Sequence, residues 1–131
     1  MDYEVCHGTA VARAAHNAKS DEVLAYCTSQ DGPWYQTITP IKKNAWHLFE
    51  IDIQLKRVDA AWVYFVTWLI DDKQVGQCTM EFGQSKPFHI FCSIENLNFT
   101  GDHLPLKDNY GLWDYVEYIP YEYSIAPVTP A

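Results

Sequence analysis

This sequence predicts a mainly β fold, best drawn as a small antiparallel up-and-down barrel behind one N-terminal helix. Three observations support that reading. Aromatic residues make up 15% of the chain, with five Trp and nine Tyr, and aromatic and β-branched side chains suit a pleated, half-buried surface. From residue 21 onward apolar residues recur at period two, the spacing of a strand rather than of a helix. Short clusters of Gly, Pro, Asp and Asn punctuate that stretch and mark tight turns between successive strands. A chain of 131 residues is long enough for one real core. It is therefore read as a single domain over 1–131, with a helix at 8–19, strands within 21–125 and a loose tail at 126–131.

Taken in order, residues 8–19 are rich in alanine, Thr9 is placed to cap, and Asn17 to Ser20 offer a stop. Val23 to Cys27 is a short apolar run closed by the turn cluster Ser29 to Pro33. Trp34 to Ile41 follows as a strand, and Pro40 puts it at an edge or near its end. Ala45 to Lys56 alternates, with His47, Phe49, Ile51, Ile53 and Leu55 on one face and Trp46, Leu48, Glu50, Asp52, Gln54 and Lys56 on the other. Trp62 to Ile70 is apolar on both faces, as a central strand covered on both sides would be; a homodimer interface would cover it as well as a helix. Asp71-Asp72-Lys73 turns the chain into Val75 to Phe82. Phe88 to Ile94 is the next strand, Thr100 to Tyr110 a loop, and Leu112 to Ile119 the last strand, stopped by Pro120 and resuming at Tyr121 to Ile125. Meandering strands with tight turns favour closure, because closure removes exposed edges. A two-sheet sandwich, or a sheet wrapped around the helix, satisfies the same pattern.

Charge narrows the partners. Nine Lys and Arg against seventeen Asp and Glu give a net charge of −8, and the densest basic pairs are only Lys42-Lys43 and Lys56-Arg57. Nucleic acid needs clustered cations, so it is not an expected partner, whereas a basic protein or a cation-bearing ligand is easier to accommodate. The longest apolar stretch, Ala60 to Ile70, is far short of the roughly 20 residues of a membrane helix. The start, Met-Asp-Tyr-Glu-Val-Cys-His, has no basic region leading into an apolar run, so a cytoplasmic protein is expected. Cys6, Cys27, Cys78 and Cys92 have no CxxC spacing and are read as free thiols, although an even count permits two disulfides.

The segments Ala45-Trp46, Trp62-Val-Tyr64-Phe-Val-Thr-Trp68 and Gly101-Asp102-His103-Leu104-Pro105-Leu106 resemble the calycin-type barrels of phenolic acid decarboxylases and the related MoaF-like proteins. The likeness spans about residues 45 to 106. It implies a ligand-sized barrel. It does not carry over the decarboxylase chemistry, because Ala45 stands where that family has its arginine and Ile70 where it has its glutamate.

Candidate sites follow from residue types. The five histidines, His7, His16, His47, His89 and His103, are scattered, without metal-ligand spacing. His47 and His89 lie in separate predicted strands, but neither a metal nor a cofactor is expected. Asp102 and His103 make a loop pair with the makings of a general base, although Gly-Asp is also a common turn start and the turn reading is preferred. Glu50 would be a buried carboxylate if its face looked into a barrel and a surface charge if it looked at water, the preferred case. Trp46, Trp62, Tyr64, Trp68 and Trp113 are the aromatic constellation, with Trp62, Tyr64 and Trp68 on one face by parity. Such rings suit ring-bearing ligands, and they suit a large core equally well. Tyr115, Tyr118, Tyr121 and Tyr123, interleaved with Asp114, Glu117 and Glu122, would suit a docked protein.

The leading expectation is therefore a barrel that binds a small organic ligand, non-catalytic or weakly catalytic. Trp46, Tyr64 and Trp68 would form the platform, and Asp102 and His103 the polar rim. An acidic protein-binding module of the inhibitor or immunity kind is the alternative. A small-barrel lyase, isomerase or cyclase is third.

Overall fold

The computed structural model describes residues 6–12, 21–30, 35–80, 89–90, 92 and 111–121. The chain divides into two compact units, Met1–Lys86 and Pro87–Ala131. Among the described residues the first contains six strands: β1 (Cys6–Ala12), β2 (Glu22–Gln30), β3 (Tyr35–Lys42), β4 (Phe49–Val58), β5 (Ala61–Ile70) and β6 (Lys73–Met80). They form two three-stranded antiparallel meanders, β1-β2-β3 and β4-β5-β6.

Register decides which side chains face inward. His7, Thr9 and Val11 pair with Ser29, Cys27 and Ala25, which in turn pair with Tyr35, Thr37 and Thr39. In the second sheet Ile51, Ile53 and Leu55 pair with Trp68, Val66 and Tyr64, which face Gly76, Cys78 and Met80 on the far side. The inward rows meet in one core: Ala25, Cys27 and Ile41 from the first sheet, and Tyr64, Val66, Trp68, Ile70 and Met80 from the second, with Tyr35, Ile53 and Leu55 packed against them. The two central strands, β2 and β5, supply most of it, because among the described residues only they have a partner on both edges. The outward face of β5 is apolar too. Val63 is buried, Phe65 and Leu69 are half-buried, and the Lys56 ammonium lies 5.0 Å from the centre of the Phe65 ring, a cation–π contact.

The turns use the residues their geometry requires. Asp71 and Asp72 have φ of 51° and 65° between the paired Ile70 and Lys73. That is the two-residue, doubly left-handed hairpin whose twist matches the strands. Asp59, with φ 55°, turns β4 into β5. A register shift between Trp68 and Leu69 leaves Val75 as an extra residue in β6, and such bulges sharpen local twist.

Several expectations are corrected. Residues 8–12 are not helical: they belong to β1, paired throughout with β2. Thr9 and Val11 are β-branched, and a full antiparallel ladder outweighs the few tenths of a kilocalorie that alanine favours a helix; residues 13–19 lie outside the described residues. The strand expected from Ala45 begins only at Phe49, because Asn44 adopts φ 55° and the next residues form a connection between the sheets. Leu112 to Ile119 is not a strand, nor are His89, Ile90, Cys92 and Tyr121. Among the described residues there is no helix, and none is long and apolar enough to cross a membrane. The mainly β, antiparallel character expected from the sequence is present: the described strands form two three-stranded sheets, and closure into a barrel would need strands outside the described residues.

Candidate functional site

The shared face of Trp62, Tyr64 and Trp68 is the inward face of β5. Tyr64 is 7% exposed and Trp68 fully buried, while Trp62 is half-buried. The Trp68 ring stacks on Tyr35 from the other sheet, with centroids 5.3 Å apart and planes at 19°. Its indole N–H donates to the Gly8 carbonyl of edge strand β1 at 3.1 Å. Tyr35 bonds across in the same way, its hydroxyl accepting from the Gln77 N–H at 2.9 Å. The sheets approach so closely here that a Cβ on Gly76 would sit 2.9 Å from both Thr37 Oγ1 and the Tyr35 hydroxyl. Trp68 thus joins the sheets by stacking and by a hydrogen bond. Trp46 is 67% exposed, on the connection between β3 and β4. Trp113 belongs to the second unit, where it is 51% exposed.

Beside this seam lies a buried polar row. Ser29 is fully buried, its hydroxyl is 2.5 Å from His7 Nδ1, and it also bonds the Cys78 thiol. Burial pushes His7 below the ordinary histidine range and raises the thiols of Cys27 and Cys78, so neither cysteine is an activated nucleophile. Cys27, Cys78 and Cys92 are free, as the sequence suggested.

His47 leads away from a metal site as well. Its Nδ1 is 2.6 Å from Asp71 Oδ2 and its Nε2 is 2.7 Å from the Lys42 carbonyl, so both ring nitrogens are engaged. Among the described residues no three His, Cys, Asp or Glu side chains gather as a metal site would require. Glu50 lies on the outward side of β4, since Ile51, Ile53 and Leu55 take the inward row. Asp102 and His103 lie outside the described residues.

The remaining feature is in the second unit. Residues 111–121, Gly-Leu-Trp-Asp-Tyr-Val-Glu-Tyr-Ile-Pro-Tyr, form neither helix nor strand, and every one is exposed. Leu112, Trp113, Tyr115, Val116, Tyr118, Ile119 and Tyr121 are each between 45% and 74% exposed. Asp114 and Glu117 are the only charged residues among them. Seven large apolar side chains in eleven residues far exceed the scattered exposure of an ordinary surface. The tyrosines were legible in the sequence; that the segment stands outside any ladder was not.

No protein-family profile, curated protein or solved structure matches this chain.

Proposed function

We propose that this chain is an acidic protein-binding module and that residues 111–121 are its docking segment. The exposed run from Leu112 to Tyr121, seven large apolar side chains with two carboxylates and no cation, carries the reading. Tyr and Trp are the residues that most often anchor interfaces. The fitting partner is a protein whose apolar groove has a basic rim, in keeping with the chain's net charge of −8. Trp, Tyr, Val and Ile are also strand formers. A strand-prone stretch outside any ladder suits addition to an open sheet edge of the partner, where main-chain bonds give affinity and alternate side chains give specificity.

Native mass spectrometry of the protein purified gently from its own source tests this. A second polypeptide in the complex is expected. With that partner, Trp113→Ala and Tyr118→Ala should each weaken binding about tenfold or more without altering the fold, and added salt should slow association. A bare protein carrying a stoichiometric small adduct would reject the docking reading in favour of the ligand-binding barrel. That second reading retains the exposed indole of Trp46 and the resemblance to calycin-type proteins, and it needs further strands to close the two sheets. It ranks second because Trp68, the centre of its platform, is stacked on Tyr35 with its N–H already bonded.

A further inference from the structure

The connection between the two sheets, residues 43–48, is fastened at both ends. At the first sheet the Lys43 N–H donates to the Asp21 carbonyl at 3.0 Å, and the Lys42 ammonium pairs with the Asp21 carboxylate. At the second sheet the Leu48 N–H donates to Asp71 Oδ1 at 2.9 Å, and the Asp71 N–H returns a bond to the Leu48 carbonyl at 2.9 Å. His47 bridges the two fastenings, with Nδ1 on Asp71 Oδ2 and Nε2 on the Lys42 carbonyl.

The partners decide the charge. A carbonyl oxygen only accepts, and the Asp71 carboxylate, already taking the Leu48 N–H, accepts as well. Both ring nitrogens must therefore donate, which only the imidazolium does. In either neutral tautomer one ring lone pair would face an oxygen, and one of the two bonds would be lost.

We propose that His47 is a protonated clasp and that its deprotonation loosens residues 43–48, the strap carrying the exposed Trp46. Asp71 is the charged side chain that faces His47 from the β5–β6 turn. Strand β3 presents the Lys42 carbonyl, with the Lys42 ammonium turned to Asp21, and β4 contributes the Phe49 ring, tilted with its centre 6.1 Å away. The hydrogen bond to Asp71 raises the His47 pKa above its ordinary 6.5, and the hydrogen bond to His47 lowers that of Asp71. The clasp is thus closed at pH below the raised His47 value and opens as pH rises through it. This inference does not depend on the docking segment.

Nitrogen-15 NMR of the imidazoles, combined with amide exchange in the whole protein, tests it. Both His47 nitrogens should carry protons at pH 6.5, where an ordinary histidine is half titrated. The exchange protection of the Leu48 N–H, corrected for the intrinsic pH dependence, should fall at least about tenfold as His47 titrates, the loss of one hydrogen bond to a charged group. His47→Gln should abolish that step. A neutral His47 at pH 6.5, unchanged Leu48 protection through the titration, or a step that survives in His47→Gln would each overturn the proposal. If the variant does not fold, the wild-type titration decides alone.

Discussion

Trp68 shows how one side chain serves two sheets. It is fully buried, stacks on Tyr35, and spends its N–H on Gly8. Trp68→Ala should cost about 3–5 kcal/mol in urea unfolding, because it removes the ring's burial and leaves a cavity. Trp68→Phe keeps most of the ring and loses the bond to Gly8, a smaller loss of about 1–2 kcal/mol. Gly76→Ala should cost about 1–3 kcal/mol, since the new methyl meets two oxygens at 2.9 Å in a seam that must part to admit it. The two histidines should give opposite pH dependences. His7 is held neutral by burial, so its contribution is complete above 6.5 and is lost as pH falls from there through its lowered folded value. His47 is held charged, so its contribution is complete below 6.5 and is lost as pH rises through its raised value. Denaturation midpoints from pH 5 to 8 should therefore steepen on opposite sides, and His7→Gln should flatten only the acidic one.

At the scale of elements, hairpin geometry makes its own prediction. Asp72 sits at φ 65°, where an L side chain is strained and glycine is not. Asp72→Gly, which makes the turn Asp71-Gly, should stabilise the β5–β6 hairpin by up to about 1 kcal/mol in thermal unfolding. Strands β2 to β6 were legible because period-two alternation and turn chemistry are local signals, and β5 announced itself as a central strand by being apolar on both faces. The first strand was not. Gly-Thr-Ala-Val-Ala reads as helix from alanine content alone, and only the pairing of Thr9 with Cys27 and Val11 with Ala25 makes it a strand. Leu112 to Ile119 erred the other way. Its residues favour a strand, but a strand exists only where a neighbour completes the ladder.

For the whole molecule, the core from Ala25 to Met80 is drawn from the first unit. A fragment of residues 1–86 should consequently unfold cooperatively on heating, followed by circular dichroism; a non-cooperative melt would show that the core needs the second unit. The composition of the chain by itself determined a β-rich, acidic protein with no expected attraction for polyphosphates, and its aromatic content marked where large rings would lie. It did not distinguish a ring that packs from a ring that docks, because Trp68 and Tyr118 carry much the same sequence signal. Tertiary structure decided that. Trp68 meets Tyr35 only because residues 33 positions apart are brought face to face by two sheets, whereas Tyr118 stays 73% exposed. Long-range contact is a property of the packed chain, and no local pattern encodes which faces will meet.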